Sequence, residues 1–160
     1  MLIQQHVNGS DAFRRSWAEY KVGFNDSSGN YWLGNDLLSQ LTENDRYKLR
    51  LDLQFLNGSW HWVEYSSLIV LNETTNYTLL VSGYSGNAAD ALSYSHEMMF
   101  STYDRDNDRY PANCAANSGG GFWYKSCARA IVNAAPESFR WWSSLSTYDY
   151  LQSSRMWLTC

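Results

Sequence analysis

The sequence predicts one domain that mixes β-strands with short helices. Three observations carry this. Residues 47–55 alternate Tyr, Leu, Leu, Leu and Phe with polar or charged residues, the period of a half-buried strand, and Asn57-Gly58 follows as a hairpin signal. Residues 12–22 place Phe13, Trp17 and Tyr20 on one face at helical spacing. Beyond Gly83 regular pattern gives way to Gly, Asn, Ser and Asp as far as Gly121, a composition typical of functional loops. At 160 residues, with eight Trp, twelve Tyr and six Phe, the chain can bury a sizeable core.

The elements follow in order. Residues 1–10, MLIQQHVNGS, read as a strand entering an Asn-Gly-Ser turn. Asp11 is placed to cap the helix at 12–22. A turn-rich loop covers residues 25–30, and Tyr31-Trp32-Leu33-Gly34 leads into a second short helix over 35–42. Strands are predicted at 47–55, 60–70 and 77–82, and Met156-Trp157-Leu158 returns as a closing strand.

Composition excludes several classes. A net charge of −4 lacks the basic footprint that nucleic-acid binding needs. There is no apolar run long enough to insert in a bilayer, and no basic amphipathic helix for a membrane surface. An enzyme has little to stand on. His6, His61 and His96 are scattered without HExxH spacing, and no nucleophile elbow, P-loop or Rossmann glycine run occurs.

The compartment is read from two signals. Cys114 and Cys127 enclose a short loop of disulfide size, with Cys160 left over for an outside partner. Asn8, Asn25, Asn57, Asn72 and Asn76 each head an Asn-x-Ser/Thr sequon, so five glycosylation sites are expected. Together they point to a secreted, extracellular glycoprotein. The alternative is a cytosolic chain with three free thiols, where cysteines stay reduced.

The chemistry concentrates in residues 93–127. Asp104, Asp106, Asn107 and Asp108 place hard oxygens on one short turn, the ligand type calcium prefers. The segment is not an EF-hand, since Arg109 stands at the glycine position and Ala115 at the bidentate glutamate position. A solvated acidic turn accounts for the same residues, because Asp and Asn favour turns by local hydrogen bonding.

WAEYKVGF followed by YWLGND, then YKLRLDL, GYSGNAADALSY, DRDNDRY, NCA and WYKSC run almost continuously over residues 3–129. SSRMWL adds a last match near the end. This series closely resembles the fibrinogen C-terminal domain, or fibrinogen-related domain, whose members include ficolins, tachylectins and the fibrinogen and angiopoietin-like proteins. The resemblance implies an α+β fold with a twisted antiparallel sheet, two short helices and a loop-rich binding lobe. It implies a single, N-terminally incomplete domain over 1–160. A helix and sheet part would cover 1–82, the lobe 83–147 and a closing strand 148–160. It implies a Cys114–Cys127 disulfide and a cis peptide before Cys127. It implies Ca2+ held by the side chains of Asp106 and Asp108 and the carbonyls of Tyr110 and Ala112, with Asp104 acting through water or as support. Lectin-like members bind acetyl groups beside the second cysteine. The residues carried over are Trp123, Tyr124, Ser126 and Cys127, with Tyr148 and Tyr150 as walls.

Two functions are therefore expected, neither catalytic. One is a calcium-assisted lectin for N-acetylated or otherwise acetylated glycans, as in innate immunity. The other is a protein-binding or assembly module, part of an oligomer or larger chain. Ala128 stands where many members carry a histidine, and residues 130–146 match the family poorly. The missing histidine favours a protein ligand.

Overall fold

The computed structural model describes residues 1–7 and 11–160. The turn expected at 8–10 and the Asn8 sequon lie outside the described residues. The elements run in order as β1 (Leu2–His6), α1 (Trp17–Val22), β2 (Phe24–Asn25), β3 (Tyr31–Trp32), α2 (Asn35–Thr42), β4 (Lys48–Phe55), β5 (Trp60–Val70) and β6 (Leu79–Gly86). The second half holds β7 (Phe100–Ser101), α3 (Cys114–Ser118), β8 (Phe122–Trp123), β9 (Ala130–Ile131), β10 (Arg140–Trp142) and β11 (Tyr148–Thr159).

The main sheet has the order β2-β3-β1-β11-β4-β5-β6, with antiparallel neighbours. β10 branches off it, pairing with both β11 and β9. β7 and β8 form a separate two-stranded sheet in the lobe. Alternation in β4 buries Leu49, Leu51 and Leu53, and in β5 it buries Val63, Tyr65, Leu68 and Val70. These side chains face an aromatic core in which Trp32 and Phe100 each lie 5.1–6.1 Å, ring to ring, from each other, from Tyr20 and from Trp123.

Helix α1 starts later than Asp11 predicts. Ser16 is the N-cap: its hydroxyl accepts the Glu19 N–H, while the Glu19 carboxylate accepts the Ser16 N–H. This reciprocal box satisfies two orphan donors at once, which Asp11 cannot match. Strand β6 runs four residues further than the expected 77–82, to Gly86. Strand β11 is much longer than Met156-Trp157-Leu158. It extends from Tyr148 because β10 and β4 pair with its first half and β1 and β4 with its second. This matches the closing strand over 148–160 that the resemblance implies; Ser153 and Ser154 are buried there, so its side-chain pattern alone marked only 156–158.

A buried polar chain fastens the lobe to this sheet. Gln4 donates to Asn133 Oδ1 at 3.0 Å, and Asn133 donates to the Gly121 carbonyl at 3.0 Å. The Tyr20 hydroxyl donates to the Phe13 carbonyl at 2.7 Å and accepts the Gly121 N–H at 2.9 Å. The glycine run is required here, since a Cβ on Gly120 would fall 1.9 Å from the Asn133 carbonyl oxygen.

Candidate functional site

The acidic loop divides its residues between anchoring and presentation. Asp104 Oδ1 accepts the Trp17 N–H at 2.9 Å and the Thr102 hydroxyl at 2.7 Å, which ties the loop to the start of α1. Arg105 lies over the Trp17 ring at 4.1 Å. Asn107 donates its Nδ2 to the Phe100 carbonyl and its backbone N–H to Ser101 Oγ, both at 2.9 Å. Asp106 and Asp108 remain, close to each other. The Asp108 N–H donates to Asp106 Oδ1 at 3.2 Å. Asp108 Oδ1 accepts the Tyr110 N–H and Oδ2 the Cys114 N–H, each at 2.9 Å.

Partial burial raises the Asp108 carboxyl above the usual carboxylate range, and the neighbouring Asp106 adds to the rise against the lowering by its two N–H donors. The charge of Asp106 thus disfavours ionisation of Asp108, a penalty that a divalent cation between them would remove. The donor set therefore fits calcium in kind: two carboxylates here, with the Tyr110 and Ala112 carbonyls on the exposed turn that follows. Among the described residues, no group of three or more His, Cys, Asp or Glu side chains gathers for a metal. A calcium shell here would rely on carbonyls and water, and Asp104 belongs to the anchor.

Cys114 opens α3 and is bonded to Cys127, with their Cα atoms 5.5 Å apart. Cys160 is free and exposed. The Ser126–Cys127 peptide is cis, as the resemblance implies. Trp123 and Tyr124 are 1% and 0% exposed. The Trp123 indole donates to the Tyr77 carbonyl and the Tyr124 hydroxyl to the Gly120 carbonyl, both at 2.7 Å. Burial pushes the Tyr124 hydroxyl well above its ordinary pKa. These two side chains support the lobe from within and present no face to solvent.

Ser126 is exposed, and three residues that the sequence did not single out surround it. The Tyr94 hydroxyl donates to the Ser126 carbonyl at 3.3 Å. Arg129 and Lys125 both lie over the Tyr94 ring, at 4.4 and 5.0 Å. The signals for Tyr94 were its place at the end of the GYSGNAADALSY match and an aromatic ring between two serines. Tyr148 and Tyr150 line a different feature, a cavity of about 530 Å³ between the β4–β5 turn and the β10–β11 hairpin. Trp123, Tyr124, Ser126 and Cys127 do not line it. Trp141 and Ser143, from the poorly matching segment, do.

Residues 1–149 match the model of the C-terminal globular domain of fibrinogen beta and gamma chains. The chain belongs to this family. The fibrinogen C-terminal match is supported by microfibril-associated glycoprotein 4 of Mus musculus, 41% identical over 138 residues, covering 82% of this chain and 54% of that protein. The fibrinogen-like globe domain of human ANGPTL2 superposes with a TM-score of 0.90 at 31% identity, over 99% of this chain and 78% of that one. Lamprey fibrin D-dimer, solved with the peptide ligand Gly-His-Arg-Pro-amide, gives a TM-score of 0.86 at 26% identity, over 98% and 60%. The chain spans about half the length of the curated relatives it matches first. Membership of the fibrinogen C-terminal family makes this a structural or binding domain and not an enzyme. No helix of the described residues is long and apolar enough to cross a membrane.

Proposed function

We propose that this domain is an extracellular recognition module that binds a protein segment at the lobe around Cys127, steadied by calcium at Asp106 and Asp108. The observation that carries the proposal is the rim beside Ser126. Lys125 and Arg129 both lie over Tyr94, while Trp123 and Tyr124 are withdrawn into the core. An Arg, a Lys and a Tyr, each half-buried beside the exposed Ser126, suit a peptide bearing a carboxylate, through charge and aromatic contact together. The fibrinogen-like relatives and the peptide-bound lamprey fragment support recognition of protein ligands by this fold. Calcium, when bound, would supply charge that offsets the paired carboxylates. Asp108 would then couple the ion to the disulfide through its bond to the Cys114 N–H.

Acetylated-glycan binding is the second reading. It draws on the exposed backbone at Ser126 beside the Tyr94 ring, since acetyl groups use an aromatic face together with polar backbone. Two arrays probed with the secreted domain separate the readings, one of peptides varied in charge and one of glycans including N-acetylglucosamine and glucosamine. Each is run in calcium and in EDTA. Retention of acidic peptides, weakened by Lys125→Ala and Arg129→Ala, is the expected result. Retention of acetylated glycans alone would replace the peptide reading with the lectin one.

A further inference from the structure

We infer that Asn57 carries an N-linked glycan whose first sugars lie in the cavity lined by Tyr148 and Tyr150. This rests on the extracellular reading above, because such glycans are added along the secretory route. Asn57 heads Asn57-Gly58-Ser59 at the exposed tip of the β4–β5 hairpin, and it is itself part of the cavity wall. Its Oδ1 accepts the N–H and the hydroxyl of Ser59, at 2.9 and 2.6 Å. Its Nδ2, the atom that takes the sugar, makes no hydrogen bond to the described residues. The other described sequons are placed differently. Asn76 donates its Nδ2 to Met99 Sδ, Asn72 caps a 3-10 turn, and Asn25 sits in β2; none of them lines the cavity.

The cavity has the character a sugar chain needs. Its volume of about 530 Å³ is that of a small-ligand site. Tyr148 and Tyr150 meet edge to face at 5.4 Å, and Leu56 and Tyr150 are 65% and 39% exposed on its rim. A pyranose ring lays its C–H face on such aromatic and aliphatic surface. Its hydroxyls would meet His61, Asn87 and Asp149, which line the same space. The bond at Asn57 tethers the sugars at the wall, so even weak docking is well populated through effective concentration. A free sugar from solution lacks that advantage. The covalent step is transfer from a lipid-linked oligosaccharide diphosphate. A bond forms from Nδ2 to the anomeric carbon, the anomeric carbon–oxygen bond to phosphate breaks, and the amide proton leaves with the diphosphate. Once seated, the glycan covers Leu56 and Tyr150 and removes this face from protein contact.

The test secretes the whole chain from mammalian cells and maps its glycopeptides and disulfide on one sample. Native release by a peptide-N-glycosidase is then timed at Asn57 and Asn72. Release at Asn57 is expected to be about tenfold slower, equivalent to about 1.4 kcal/mol of docking. The two rates should become equal after denaturation. Tyr150→Ser should speed release at Asn57 and leave Asn72 unchanged, and Leu56→Ser serves the same purpose should the first variant fail to fold. An unmodified Asn57 in secreted, disulfide-bonded protein overturns the inference alone. So does equal native release at the two sites, or slow release that both variants leave untouched. Failure of the chain to be secreted or oxidised overturns the extracellular reading and, with it, this inference.

Discussion

Glu73 joins two segments through one carboxylate. It accepts Lys21 Nζ at 2.6 Å and the Trp17 indole N–H at 2.8 Å, linking α1 to the turn after β5. The Lys21 bond, followed by the Trp17 bond, lowers its pKa below the usual carboxylate value. A lowered folded-state pKa stabilises the fold above the unfolded value and stops doing so as pH falls through the folded one. Glu73→Gln should therefore lower the urea midpoint at neutral pH. The gap from the parent should close once the medium is acidic enough to protonate Glu73 in the fold. A gap that persists undiminished in acid would mean that shape, not charge, holds this junction. Asp108 has the opposite sign. Its pKa is raised, so it takes up a proton sooner than an ordinary carboxylate on acidification. Calorimetry should show calcium binding to the parent at neutral pH, weakening early as pH falls. It should show no binding to the Asp106→Ala, Asp108→Ala double variant. Equal affinity in the double variant would place the ion elsewhere.

At the scale of elements, the glycine run between α3 and β8 sets how closely the lobe approaches the sheet. Gly120→Ala would force a methyl group against the Asn133 carbonyl. A loss of about 1–3 kcal/mol is expected, typical of overpacking, and is measurable as a lower urea midpoint. An unchanged midpoint would show that residues 132–134 can retreat. Much of this architecture was legible in the sequence. The alternation in β4 and β5 and the Asn57-Gly58 turn fixed the central hairpin, because burial on one face leaves a period of two. The residues of the acidic loop and the bonded cysteines were legible from spacing and family motif. Three things were not. The true start of α1 depended on a box between Ser16 and Glu19 that competes with Asp11. Most of β11 left no strand pattern of its own, because its buried serines read as polar, and its extent over 148–160 came from the resemblance alone. Which aromatic residues meet the exposed rim was hidden too: Trp123 and Tyr124 fill the core, whereas Tyr94, at the end of the GYSGNAADALSY match, meets the exposed Ser126. Burial of an aromatic residue is decided by long-range packing, and a motif only records its identity.

Across the whole molecule, β11 is the strand on which everything converges. It pairs with β1 on one side and β4 on the other, and its first residues hold β10. The Met1 amino group donates to the Leu158 carbonyl, and the Leu158 N–H donates to the Met1 carbonyl, both at 2.8 Å. The two ends of the described chain thus leave the sheet side by side from adjacent antiparallel strands. That arrangement has a mechanical consequence. Tension applied between residues 1 and 160 acts across the β1–β11 ladder and parts its hydrogen bonds one after another, like a zip. The alternative, sliding two strands past each other, would load all the bonds at once. Pulled by its two ends, the domain should yield at low force, with β1 peeling first. Pulled from residue 160 against a handle at Ser126 in the lobe, it should resist far more, because the load then falls on the pairing of β11 with both β1 and β4 and on the buried Gln4–Asn133 link. Single-molecule extension in the two geometries measures the difference, and equal rupture forces would contradict it. A domain built this way resists load carried through its lobe, and opens readily when stretched between its two ends.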